Sequence, residues 1–157
     1  MLVLCVIGLL RKKRWARELA YFWGLAGSIH GLLTPDLQAD FPEWKFFQFF
    51  WGHGGVILAV VFLLGVLRFR PESGGVWRAF LAINLYALIV GSLDAAFGWN
   101  YGYLCRVAGH PSLLDHLGPM PWRLFAMEGI ALASFSLLTL PWRLARRGFT
   151  SRTSPCG

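Results

Sequence analysis

Two histidines and two carboxylates stand inside or at the ends of long apolar runs: His30, His53, Asp94 and Glu128. An ionisable side chain in hydrocarbon is costly, so such residues are functional candidates by default. Histidine moves protons near neutral pH, and a carboxylate can orient it. His53 lies in Trp51-Gly52-His53-Gly54-Gly55, where flanking glycines let a ligand or a second helix come close. Asn100 and Tyr101 follow the run that carries Asp94 and offer an amide and a phenol. Each group also has a purely structural reading: His30 as an interfacial residue, Asp94 as a helix cap. The cysteines are Cys5, Cys105 and Cys156. A buried Cys is ordinarily an inert small hydrophobe, but its thiolate is a strong nucleophile when a base takes the proton. There is no CxxC or HExxH spacing, so His30, His53, Asp94 and Glu128 make only a weak metal set. No metal and no cofactor is expected.

The elements that position these residues are apolar blocks: Met1–Leu10, Trp15–Leu33, Phe46–Leu67, Val76–Phe97 and Trp122–Leu144. A helix rises ~1.5 Å per residue, so about 20 residues cross a ~30 Å hydrocarbon core. The runs lack the period-2 alternation of barrel strands. The expected fold is an all-α polytopic membrane helix bundle. It has four full transmembrane helices plus a short first helix, in one domain over residues 1–147. Residues 148–157 read as a flexible tail. Of 157 residues, 56% are hydrophobic and only 15% charged, below the ~25% charged of soluble domains. Mean hydropathy is +0.52. The net charge of +7 sits in loops beside the apolar blocks, which points to lipid headgroups and topology and not to nucleic acid.

Loop charge alternates. Of fifteen Lys and Arg, five lie in the first loop (Arg11 to Arg17), three around the third and four toward the C-terminus. The second loop carries Asp36, Asp40 and Glu43, and the fourth, residues 98–121, is nearly neutral. The positive-inside rule then places the C-terminus in the cytoplasm and the N-terminus outside, in a cell membrane. On this topology Cys105 and Cys156 face opposite sides. Met1–Leu10 covers only about half a bilayer, so the expectation is that Met1 stands inside a helix and not at the native start.

Helix direction gives depth. His30 falls about 20 Å above the basic end, His53 about 12 Å below the other surface and Glu128 about 9 Å below it. With Asp94 near its helix end, four polar groups share one layer, rimmed by Asn100 and Tyr101. Cys5 falls about 9 Å above the basic boundary, which leaves up to about 9 Å of depth between it and His53.

Several ordered motifs resemble a known family. Gly24-Leu25-Ala26-Gly27 leading to Leu32-Leu33-Thr34-Pro35-Asp36-Leu37 looks like the GxxG…LTPDL stretch of YwaF-type bacterial integral membrane proteins. These are similar to the eukaryotic transmembrane protein 164 family. Phe50-Trp51-Gly52-His53-Gly54, Gly98-Trp99-Asn100-Tyr101-Gly102-Tyr103-Leu104 and Leu114 through Trp122 extend the resemblance, which spans about Leu2 to Trp142. Leu4-Cys5 looks like the end of a PLHLC motif. Val3 replaces its His, and Met120 and Arg123 replace a Trp and a Tyr of the LDxLGPWPWY motif. The eukaryotic relatives are regarded as acyltransferases that move fatty acyl chains between phospholipids with a Cys nucleophile and a His. The resemblance implies Cys5 and His53 in those roles. Glu128 or Asp94 would orient His53, Asn100 or Tyr101 would donate to the oxyanion, and His30 and Asp94 would help bind substrate.

The leading expectation is therefore a membrane phospholipid acyltransferase or lipid hydrolase. Two other classes stay open. One is a transporter that relays protons or cations through His30, His53, Asp94 and Glu128. The other is a non-catalytic bundle that binds lipid, a partner helix or a second copy of itself through its small residues.

Overall fold

A computed structural model describes residues 1–35, 37, 39–105 and 113–150. The chain forms α1 (Leu2–Leu10), α2 (Arg14–Leu33), α3 (Trp44–Gly65), α4 (Gly75–Phe97) and α5 (Trp122–Thr150). Short 3₁₀ turns at Tyr101–Tyr103 and Leu113–Leu117 lie between α4 and α5. No strand occurs among the described residues. The fold is all-α, as the apolar blocks require.

α2 is the hub. It packs against each of the other four helices, whereas α3 touches only α1 and α2 among the described elements. Ala20 and Phe22 of α2 are fully buried, and Val56, Val60 and Leu63 of α3 close over them with Cys5, Tyr21 and Phe135. The α2–α3 approach is close because Gly24 lacks a side chain: a Cβ there would meet Val56 Cγ1 at 2.9 Å. The outward faces of the other long helices are apolar and exposed, among them Leu58, Leu81, Leu88 and Leu137. That is the surface expected of helices in lipid.

Among the described residues three helices are long and apolar enough to cross a membrane: Trp44–Gly65, Gly75–Phe97 and Trp122–Ala145. The expected count of four full spans is thus corrected to three. α2 has twenty residues but carries Arg14, Arg17 and Glu18 in its first turns. Its position among other helices explains the difference, because a central helix satisfies polar groups with protein and needs no apolar surface all round.

Those charges are paired at the basic end. Arg78 Nε and Nη2 donate to Glu18 Oε2 and Oε1 at 2.9 and 2.7 Å, and Nη2 also reaches Glu72 at 2.8 Å. Arg14 pairs with Glu72 at 2.8 Å, and Arg17 Nε donates to the Gly8 carbonyl at 2.9 Å. This network ties α1, α2, the α3–α4 loop and α4 together.

α5 runs past the expected end at Leu144 to Thr150 and contains Pro141. Proline removes an N–H and crowds the carbonyl four residues back. Two carbonyls in the turn before it have side-chain donors: Tyr21 Oη donates to Leu138 O at 2.7 Å, and Thr139 Oγ1 to Ser136 O at 2.7 Å. Trp142 Nε1 in turn donates to Tyr21 Oη at 3.0 Å. The expected tail from residue 148 is helical as far as Thr150, and residues 151–157, with Cys156, lie outside the described residues.

Candidate functional site

A cavity of about 730 Å³ opens between α2, α4, α5, the start of α1 and the turn after α4. Its wall is mainly apolar, from Trp23, Ala26, Ile83 and Phe135 among others, and its polar members include His30, Thr34, Tyr86, Glu128 and Ser134. α2 and α5 each present several positions to this space, which is why residues far apart in sequence meet here.

Two polar contacts cross the cavity region. His30 Nε2 lies 3.4 Å from Ser134 Oγ. The His30 backbone is held by the end of α2, where both the N–H and the hydroxyl of Thr34 donate to its carbonyl, at 3.0 and 3.1 Å. Glu128 Oε2 accepts from Asn84 Nδ2 at 2.9 Å, and the same amide nitrogen donates to Phe80 O at 2.9 Å. A carboxyl group in an apolar wall needs such a donor, since an unpaired one is strongly penalised. Asn84 and Ser134 are additions to the expected site. Asn84 was legible as an amide within an apolar run. Ser134 carried no signal, because serine in a helix is ordinarily satisfied by a nearby carbonyl.

His53 sits behind the cavity wall. Its Nδ1 lies 2.9 Å from the Phe49 carbonyl. A carbonyl only accepts, so Nδ1–H donates to it, which leaves Nε2 as the ring nitrogen outside this bond. That nitrogen faces α2: a Cβ on Gly31 would lie 2.8 Å from it. Gly31 itself lines the cavity. The glycines beside His53 behave differently, since a Cβ on Gly52, Gly54 or Gly55 would meet nothing within 4 Å.

Cys5 is 3% exposed and belongs to the core around Tyr21 and Val60. Its neighbour Leu4 lines the cavity. Cys5 and His53 share no hydrogen bond. Gly8 packs at the level of Arg17 and His53 at the level of Gly31, so helix rise separates Cys5 from His53 by about 16 Å along α2.

Asp94 is 1% exposed, and neither carboxylate oxygen has a hydrogen-bond partner among the described residues. It does not line the cavity. Arg123 is also buried and donates from Nη2 to Cys105 O at 3.3 Å. Asn100 Oδ1 accepts from the Cys105 N–H at 3.3 Å, bracing the turn that brings Gly102 and Leu104 to the cavity. Tyr101 is exposed and packs its ring on Trp99. Among the described residues no three His, Cys, Asp or Glu side chains converge. The layer read from depth is therefore two pairs, His30–Ser134 and Asn84–Glu128, with His53 behind the Gly31 wall and Asp94 outside the lining.

The model of the TMEM164 family matches residues 1–139. No curated protein and no solved structure matches the chain. A match over most of the chain, with three helices among the described residues long and apolar enough to cross a membrane, makes this a multi-pass membrane protein that belongs to the TMEM164 family.

Proposed function

We propose that the chain binds membrane phospholipids and transfers or hydrolyses their fatty acyl groups. The cavity carries this reading. Its volume of about 730 Å³ falls within the roughly 300–1,000 Å³ of small-molecule sites, and an apolar wall with few polar groups is what such sites present. An acyl chain suits the wall formed by Trp23, Ala26, Ile83 and Phe135, and an ester suits the polar side at His30, Ser134 and Glu128. The resemblance to lipid acyltransferases adds Cys5 as nucleophile and a role for His53, which at about 16 Å from Cys5 along α2 does not take the thiol's proton in this arrangement. Leu4 and Gly31, which line the cavity, adjoin these two residues in sequence and in space respectively, so a lipid held along the cavity would lie against the parts of the wall that cover them. The basic loops are proposed to face the cytoplasm across the cell membrane.

The test is turnover in proteoliposomes that contain phosphatidylcholine with one labelled acyl chain. The expected result is release or transfer of the label, with loss in Cys5→Ala and in His53→Ala. Bound lipid without turnover would leave a lipid-binding bundle, and neither binding nor turnover would end this reading.

A further inference from the structure

The basic end of the bundle carries more positive charge than its own contacts use. Arg78 pairs with Glu18 at 2.7 Å, and Arg14 and Arg78 share Glu72 at 2.8 Å. Arg11, Lys12 and Lys13 in the α1–α2 loop, and Arg68 and Arg70 in the α3–α4 loop, are exposed and make no ion pair among the described residues. We propose that these two loops form one binding site for an anionic phospholipid, whose headgroup phosphate is held by cations from both. None of these residues lines the cavity, so the site stands apart from the acyl chemistry proposed there.

Three observations carry it. First, the two loops are one surface. Arg14 Nη2 donates to the Arg70 carbonyl at 3.4 Å and pairs with Glu72 at 2.8 Å, which fastens the start of α2 to the α3–α4 loop. Second, the cations are displayed by the fold. Phe69 is buried in the core beside Tyr21, with ring centroids 6.4 Å apart, and its N–H donates to the Leu63 carbonyl at 2.9 Å. With Phe69 pinned inward, Arg68 and Arg70 on either side of it stay outside. Third, each loop holds one cationic residue in the left-handed region, Lys12 at φ 51° and Arg68 at φ 47°. Glycine adopts that conformation freely and other residues do so at a cost. Orienting a chain in the membrane requires only enough Lys and Arg in a loop. It does not require them at two strained positions on adjoining loops.

The surroundings identify the occupant as a lipid. Leu10 at the end of α1, Trp15 in the first turn of α2 and Trp77 in the first turn of α4 are all exposed. Exposed indoles at the end of an apolar surface mark the headgroup level of a bilayer. A phosphate held by the cations would leave its acyl chains against the apolar helix faces, a contact that a free anion cannot make. A phosphatidylcholine headgroup carries its own cation beside the phosphate. The unpaired Lys and Arg therefore favour a headgroup with net negative charge.

The experiment is native mass spectrometry of the full chain in detergent, titrated with equimolar phosphatidylglycerol and phosphatidylcholine of identical acyl chains. A micelle has no sidedness, so effects on membrane orientation drop out. Wild type is compared with Lys12→Gly/Arg68→Gly, with Arg11→Gln/Arg70→Gln, and with Lys45→Gln, which removes a charge at the opposite end of α3. Wild type should prefer phosphatidylglycerol. Each double variant should bind it about 25-fold more weakly, at roughly fivefold per charge removed, with phosphatidylcholine binding unchanged. Glycine relaxes both left-handed positions, so the first double variant should lose the lipid while unfolding at no lower a temperature than wild type. Lys45→Gln should leave phosphatidylglycerol binding as in wild type. Equal binding of the two lipids by wild type overturns the proposal, as does wild-type phosphatidylglycerol binding in both double variants. A fivefold loss in Lys45→Gln also overturns it, because the attraction would then be the diffuse field of a basic protein and not a site.

Discussion

Gly31 is the residue on which the placement of His53 turns. An α-carbon bearing even one methyl would put Cβ 2.8 Å from His53 Nε2 and 2.9 Å from its Cδ2, well inside contact distance. The imidazole cannot simply retreat, because Nδ1 is held at 2.9 Å by Phe49 O and the ring packs at a tilt against Phe49 with centroids 4.3 Å apart. Gly31→Ala is therefore expected to lower stability by about 1–3 kcal/mol, the usual cost of forced overpacking. Thermal unfolding in detergent checks this, with Gly52→Ala as the reference, since a Cβ there meets nothing within 4 Å. A drop for Gly52→Ala equal to that for Gly31→Ala would show that the helix pairing is wrong. The sequence made His53 a candidate through its own glycine neighbours, and the glycine that matters lies on another helix. Spacing along one helix carries no information about which residue of a second helix lies opposite. The same holds for Ser134, whose meaning comes entirely from His30 across the cavity.

Element boundaries were mostly legible, because they follow apolarity. α1 to α4 start and end within two residues of the blocks read from hydropathy. α5 outlasts its block by six residues, since a helix ends where its backbone bonds end and not where side chains turn polar. The role of α2 was not legible. Its charges read as a membrane boundary, yet Glu18 is 3% exposed and sits inside the bundle's basic end. Arg78 makes two of its bonds to Glu18, so Arg78→Met would strand a buried carboxylate with only Arg14, 4.0 Å away. The expected loss is about 2 kcal/mol, since an orphaned buried charge costs more than the pair contributes. Glu72→Gln, which removes a half-exposed partner, should cost under about 1 kcal/mol. Denaturant titrations of the two variants in mixed micelles compare these values directly. Equal losses would mean that Glu18 is more solvated than its burial implies.

At the scale of the whole molecule, the cavity exists because the helices do not close uniformly. α2 and α3 seal tightly through Gly24 against Val56, whereas α2 toward α4 and α5 is spaced by Trp23, Ile83 and Phe135 and leaves room beside Gly27. A Cβ on Gly27 would meet nothing within 4 Å, yet Gly27 lines the cavity. A large side chain at this position can therefore enter the space without displacing a neighbour. Gly27→Leu separates occupancy of the cavity from integrity of the fold. Stability should hold or rise slightly, because a glycine inside a helix is replaced by a better helix former and apolar surface is buried. Lipid retained through purification, measured by mass spectrometry, should fall, and acyl turnover should fall with it by more than about tenfold, the effect of losing ~1.4 kcal/mol of binding. The combination matters more than either part. Lost lipid with intact stability ties function to this space, as the proposed acyl chemistry requires. Retained lipid and turnover in a stable Gly27→Leu would place the substrate outside the cavity, on the apolar outer faces that all three spanning helices share.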